Sequence, residues 1–226
     1  MSDIPILERV LMLVPIWLSL TVHEFSHGWS AWKLGDGTAK EAGRLTLNPL
    51  AHIDPIGTFL LPLMGVPFGW AKPVPVNPAR FDRKWSVRKG MLLTAAAGPA
   101  SNFLLALLSA VVLGVVFRLN MGRIDALLRP GAHGLLPAFI KLLIIMMQVN
   151  VALGLFNLIP VFPLDGSRIA DFFIPERLRP QWEKFCKVAP ILLIIVFVFG
   201  AGFLIERPAK LLLRGLLHLV DGIAGY

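Results

Sequence analysis

Long apolar runs alternate along this chain with short breaks rich in proline, glycine or charge, and several runs are long enough to cross a bilayer. Residues 6–33 form the first run; Pro5 suits the opening turn of a helix, and Gly35-Asp36-Gly37 closes it. Residues 91–117, 135–158 and 188–205 are three further runs of spanning length. Residues 56–66 are apolar over only about eleven positions before Pro67-Phe68-Gly69, which suits a re-entrant segment better than a crossing. From Trp70 to Asn77 the pattern alternates, with Pro73, Pro75 and Pro78 interleaved. Proline cannot donate to a sheet ladder, so this stretch predicts an edge strand or short extended hairpin. Residues 168–187 form a polar connector, helical in part. In residues 209–223, Lys210 and Arg214 sit beside a leucine-rich face, predicting an amphipathic helix along the membrane surface. The expected fold is an all-α polytopic membrane protein, one domain over residues 1–226. It has about four transmembrane helices, a re-entrant segment with a short extended β hairpin, and a C-terminal amphipathic helix.

Composition agrees. The chain has 226 residues, 56% of them hydrophobic and 16% charged, against about 25% charged in a typical soluble domain. The net charge of +8 is spread through the loops rather than gathered on one face. That distribution fits anionic headgroups and argues against a nucleic-acid partner. Cys186 is the only cysteine, so no intrachain disulfide forms. The N-terminal segment has neither a basic start nor an A-x-A site, so no cleaved signal is expected. The strongest basic cluster, Arg80, Arg83, Lys84, Arg88 and Lys89, belongs on the cytoplasmic side. If residues 56–66 dip and return, the Lys33 end of the first helix lies there too.

The candidate chemistry sits inside the first run, in His23-Glu24-Phe25-Ser26-His27. Histidines at i and i+4 share one helix face and can bind one zinc ion, and the glutamate beside the first can act as a general base. Ionisable groups are costly in a bilayer, so such a cluster points to function. Glu24 lies roughly 14 Å before Lys33 at the helical rise, inside the hydrocarbon layer but off-centre. A catalytic zinc usually takes three protein ligands. Among few acidic residues at that depth, Asp165 stands out, at the end of Asn157-Leu-Ile-Pro160-Val-Phe-Pro163-Leu-Asp165-Gly166. The prolines break the helix there, and Gly166 gives the backbone freedom to turn the carboxylate inward.

HExxH in an early membrane helix, followed by NxxPxxPLDG, resembles the site-2 protease family of intramembrane zinc metalloproteases, in the compact prokaryotic form without PDZ or CBS domains. Asn48 to Thr58, Phe68 to Val76, and Gly98-Pro99 with Asn102 are similar to that family as well. The resemblance implies one zinc per chain held by His23, His27 and Asp165, with Glu24 as base. It implies a transmembrane protein substrate, cut near the cytoplasmic face of a prokaryotic plasma membrane. Asn102 and Asn157 are candidate hydrogen-bond donors to the oxyanion or the substrate backbone. Trp70, Ala71, Lys72, Val74 and Val76 are candidate positions for pairing with an unwound substrate strand. His52 is a structural hydrogen-bonder or an accessory metal residue. Nothing in the sequence specifies an oligomeric state. The alternatives are a proteolytically inactive zinc-binding membrane protein, which needs no Glu24, and a metal transporter, which favours polar sites along a path and internal repeats that this chain lacks.

Overall fold

The structure is a computed structural model that describes residues 6–60, 70–129, 131–199 and 201–226. Helix α1 covers Ile6–Lys33, as expected. It stops by hydrogen bonding as well as by composition. Gly35 takes φ +107°, its N–H donates to the Trp32 carbonyl, and the Asp36 N–H donates to the Ala31 carbonyl. This is the Schellman arrangement, which needs a left-handed residue at that position. A one-turn helix, α2 (Thr38–Glu41), follows.

The chain then runs alongside α1. The indole of Trp17 donates to the Thr58 carbonyl (3.1 Å), and the Thr58 hydroxyl donates to the Trp70 carbonyl (2.8 Å). The Val74 N–H reaches Glu24 (2.8 Å), the Asn77 N–H reaches Asp36 (2.6 Å), and the Asp82 N–H reaches the Leu34 carbonyl (2.7 Å). The segment therefore makes contact near the middle of α1 and returns to its C-terminal end. There Phe81 packs with Ala31 and Leu34. Residues 61–66 of the expected re-entrant stretch lie outside the described residues; residues 55–60 form a π-helical turn.

The expected hairpin is a point of difference. Among the described residues no strand occurs, and Trp70 to Asn77 is irregular. Ala71 and Val74 are both buried while Trp70, Lys72 and Pro73 are exposed. Burial of Ala71 and Val74, three residues apart, departs from the strict alternation of a strand, and Pro73 and Pro75 cannot donate to a sheet ladder.

Helix α3 (Val87–Leu119) begins at Ser86, whose hydroxyl accepts from the Lys89 N–H. After the short α4 (Ile124–Leu128) comes α5 (Leu135–Asn157). Both α3 and α5 are long and apolar enough to cross a membrane. Small residues on the buried side of α3, among them Gly90, Ala95, Gly98, Ala106 and Gly114, let neighbouring helices approach closely. Leu104, Leu107, Leu108, Val112 and Val115 on the same helix stay exposed, as lipid-facing positions do.

Helix α6 (Asp165–Phe173) is short, and its C-terminal turn is clamped by Arg88. The Arg88 guanidinium donates to the carbonyls of Asp171, Phe172 and Ile174 at 2.7–3.0 Å. Helix α7 is Arg179–Phe199 and α8 is Ala201–Ala224. The expected span over residues 188–205 takes in the end of α7 and the start of α8, with residue 200 outside the described residues. A second difference concerns α8. It does not lie apart on the membrane surface but packs against α3 and α5. Val220 joins Ala110, Leu113, Ile140, Leu143 and Met147 in the main apolar core. Leu213 and Leu216 pack beside Val220 on that core, while Leu211, Leu212, Leu217 and Leu219 stay exposed.

Candidate metal centre

The site is built from a matched spacing on two helices. On α1, His23 and His27 are one turn apart, with their Nε2 atoms 3.0 Å from each other. On α3, Thr94, Gly98 and Asn102 recur at the same interval of four and face them. The His27 Nδ1–H donates to the Thr94 carbonyl at 2.7 Å, and the His23 Nδ1–H donates to Asn102 Oδ1 at 2.7 Å. With protons held on Nδ1, both Nε2 lone pairs face the space between the rings. Gly98 sits between these two anchors. A Cβ there would lie 2.5 Å from His27 Nε2 and 2.6 Å from His23 Cε1, so the cradle exists because that residue has no side chain.

Asp165 completes the triangle. Its Oδ2 lies 3.2 Å from each histidine Nε2, is shut away from solvent, and makes no hydrogen bond of ordinary geometry. The loop that delivers it folds tightly. The Leu164 N–H donates to the Val161 carbonyl, Phe162–Pro163 is a cis peptide, and Gly166 packs against the carbonyls of Leu158 and Ile159. Two imidazole nitrogens and one carboxylate oxygen, spaced 3.0–3.2 Å apart, suit a common cation. Ligand distances of 2.0–2.1 Å in a tetrahedral zinc site put donors about 3.3 Å apart. An orphaned buried carboxylate oxygen at one corner is what such an ion satisfies. Among the described residues this is the one cluster of three donors able to hold a metal.

Glu24 is held differently. Its Oε2 accepts the main-chain N–H of Val74 at 2.8 Å. The segment carrying Val74 comes close because Gly28 lacks a side chain; a Cβ there would lie 3.1 Å from Val74 Cγ1. The Lys72 N–H donates to the His52 carbonyl (2.9 Å), and the Lys72 carbonyl accepts from Arg44 (2.6 Å). Trp70, Ala71, Lys72, Val74 and Val76 thus lie along the helix that carries Glu24, without the open ladder edge expected of a strand.

Three other expectations can be placed. Asn102 is fully buried with both ends of its amide engaged, Oδ1 by His23 and Nδ2 by Asn150 (2.8 Å). It holds the His23 ring from a position with no exposed surface. The Asn157 side-chain amide donates one of its two hydrogens back to the Leu153 carbonyl of its own helix (3.0 Å). His52 stands apart from the cluster, donating through Nε2 to the Thr46 carbonyl (2.9 Å) and joining two loops. Asn150 was not singled out from the sequence, although a polar residue at mid-length of an apolar run was a signal available to do so.

The bundle and the site combine two helices of membrane-spanning length with a HExxH helix and a distant aspartate that together could hold a metal, the arrangement of a membrane metallohydrolase. Residues 132–200, which carry Asp165 but not HExxH, match peptidase family M50. The chain is 38% identical over 197 residues to "Putative zinc metalloprotease YwhC" of Bacillus subtilis, covering 87% of this chain and 84% of that one. It is 30% identical over 175 residues to "Putative zinc metalloprotease Rip2" of Mycobacterium tuberculosis, covering 76% of this chain and 60% of that relative. The namesake of Mycolicibacterium smegmatis is 33% identical over 99 residues, 43% of this chain and 38% of that one. The chain spans less than two thirds of the mycobacterial relatives. No solved structure matches it. The chain belongs to peptidase family M50, the site-2 protease family of membrane metalloproteases.

Proposed function

We propose that this protein is an intramembrane zinc endopeptidase. It hydrolyses peptide bonds in or near transmembrane segments of other membrane proteins, in regulated intramembrane proteolysis, with Glu24 as the base. The observation that carries the reading is the triangle of His23, His27 and Asp165 on helices packed against two membrane-length helices, with Glu24 next to the first ligand.

Bound zinc supplies Lewis acidity toward the scissile carbonyl and makes water acidic enough to attack near neutral pH. His23, His27 and Asp165 hold it through Nε2, Nε2 and Oδ2. Glu24 takes a proton from the attacking water as the new C–O bond forms, then gives one to the departing amine nitrogen as the C–N bond breaks. A transmembrane helix satisfies its own backbone, so the scissile stretch unwinds first. Residues 70–77, already set along α1, are the proposed support for it.

The proposed topology has four spans and a re-entrant segment, with the site toward the cytoplasm of a prokaryotic plasma membrane. Contacts at both ends of the loop support this. The Asp82 N–H bonds the Leu34 carbonyl, so the basic cluster around residue 83 lies beside the C-terminal end of α1. At that end Lys33 sits 4.9 Å from the Trp32 ring and Lys40 5.1 Å from it, a pairing suited to a membrane–water boundary.

The test is Glu24→Gln in the full chain with a fluorogenic transmembrane reporter peptide. Cleavage is expected to fall at least about a thousandfold while zinc stays bound, because a base acting on the attacking water is removed and no ligand is touched. Near-wild-type cleavage by that variant, or cleavage by the wild type after complete zinc removal, refutes the reading.

A further inference from the structure

The two histidines are oriented by different means. His27 is anchored by a main-chain carbonyl, which no side-chain replacement removes. His23 is anchored by a side chain, Asn102, and an amide can turn over. If it did, its NH2 would face His23 Nδ1, the imidazole proton would move to Nε2, and the nitrogen needed for coordination would be blocked.

A buried relay across three helices prevents this. Asn102 Nδ2 donates to Asn150 Oδ1 (2.8 Å). Asn150 Nδ2 donates to Ser19 Oγ (2.8 Å) and to the Met146 carbonyl (2.8 Å). The Ser19 hydroxyl donates to the Pro15 carbonyl (2.6 Å). Asn102, Asn150 and Ser19 are all fully buried.

The direction of every bond follows from the outer end inward. A main-chain carbonyl can only accept, so the Asn150 atom facing Met146 is the NH2. Its Oδ1 then faces Asn102 and can only accept, which turns the Asn102 NH2 toward it and leaves Asn102 Oδ1 for His23. The sequence Met146 carbonyl, Asn150, Asn102, His23 has a single consistent proton arrangement, and that arrangement exposes the His23 Nε2 lone pair.

We propose that Asn150 is a positioning residue for the metal centre. Acting through Asn102, it fixes the tautomer and ring orientation of His23, with Ser19 as the outer support. This rests on the metal centre described above but does not require the protein to be a protease.

The experiment measures zinc affinity by chelator competition on detergent-solubilised full chain. The His23 tautomer is read by nitrogen-15 NMR of the histidine-labelled, metal-free protein. Asn150→Leu is expected to lower zinc affinity 10–100-fold, the range for loss of an outer-shell partner, and to raise the fraction of Nε2–H tautomer at His23. If the relay acts through Asn102, Asn102→Leu with Asn150→Leu loses no more affinity than Asn102→Leu alone. Met147→Ala, a core truncation on the same helix, should lower thermal stability while affinity stays within threefold. Ser19→Ala, a small change that preserves the fold, should lower affinity several-fold and shift the same tautomer signal. Zinc affinity within threefold of wild type in Asn150→Leu overturns the proposal. So does an unchanged tautomer, an additive double variant, or, if Asn150→Leu does not fold, wild-type affinity in Ser19→Ala. A chain that passes these tests and yet cleaves no peptide overturns the protease reading and leaves this one standing.

Discussion

Replacing Gly98 with alanine adds one carbon at the point where both ligand rings meet. That carbon would lie 2.5 Å from His27 Cε1 and Nε2 and 2.6 Å from His23 Cε1, where ordinary contact begins at 3.4 Å. About 0.9 Å must be found. Neither ring can turn aside without breaking its 2.7 Å anchor to Thr94 or Asn102, so α1 and α3 must separate. Overpacking of this kind costs about 1–3 kcal/mol, and the better helix propensity of alanine returns up to ~1 kcal/mol. The net loss of fold stability is therefore modest, about 0–3 kcal/mol. Zinc binding suffers more, because a site tolerates only about 0.5 Å of misplacement, and a 10–100-fold loss of affinity is expected. Chelator competition reads the affinity, and thermal unfolding in detergent reads the fold. Gly215→Ala and Gly222→Ala are the controls. Both positions have open space around an added Cβ, so stability should rise by up to about 1 kcal/mol with zinc affinity unchanged. Zinc affinity in Gly98→Ala within threefold of wild type would show that the inter-helix approach at Gly98 does not shape the site.

Three further outcomes follow from the same geometry. Arg88→Met removes the donor to three carbonyls at the far end of the helix that begins with Asp165, roughly 12 Å away. It should cost about 1–3 kcal/mol of stability and several-fold in zinc affinity, and unchanged melting would count against the clamp. Val74→Pro deletes the N–H that holds Glu24 while fitting a backbone already flanked by Pro73 and Pro75. Cleavage should fall by up to about 100-fold, the worth of a hydrogen bond to a charged group, with zinc affinity unchanged; full activity would dismiss the contact as incidental. Stripping the metal should lower the melting temperature of the wild type, because the buried Asp165 oxygen loses its partner, and zinc should restore it. Asp165→Asn should show no such restoration, and a zinc-dependent rise in that variant would remove Asp165 from the ligand set.

Much of this site was legible in the sequence because its chemistry is local or strongly marked. HExxH needs only the helical repeat to bring two imidazoles together, and the prolines around Asp165 announce a turn at the end of a span. The limits of α1 were readable because glycine at residue 35 has a specific geometric use. What escaped was whatever depends on a neighbour distant in sequence. Nothing in the run 135–158 says that Asn150 meets Asn102, since that depends on how α3 and α5 cross. The leucine-rich face of residues 209–223 specifies an apolar partner, but lipid and helix satisfy it equally, and the sequence does not say that Leu213, Leu216 and Val220 meet the core while Leu211, Leu212, Leu217 and Leu219 stay exposed. Between Trp70 and Asn77, alternation and proline suggested an edge strand. The same prolines withhold the N–H groups a ladder needs, and the burial of Ala71 and Val74 does not alternate as a strand's would.

The bond from Val74 to Glu24 is made by main chain, and this affects how the protein tolerates change. Any residue with an amide hydrogen can supply that bond, so position 74 is free to vary in side chain, within the space left by Gly28. Alanine replacement at Val74 would report the loss of a buried side chain and leave this bond in place. Only proline, or an ester in place of the amide, would expose its contribution. One restraint on the base is thus carried by the path of the backbone rather than by the identity of a residue, and it will persist in sequences that have drifted apart at this position for as long as the loop keeps its course along the first helix.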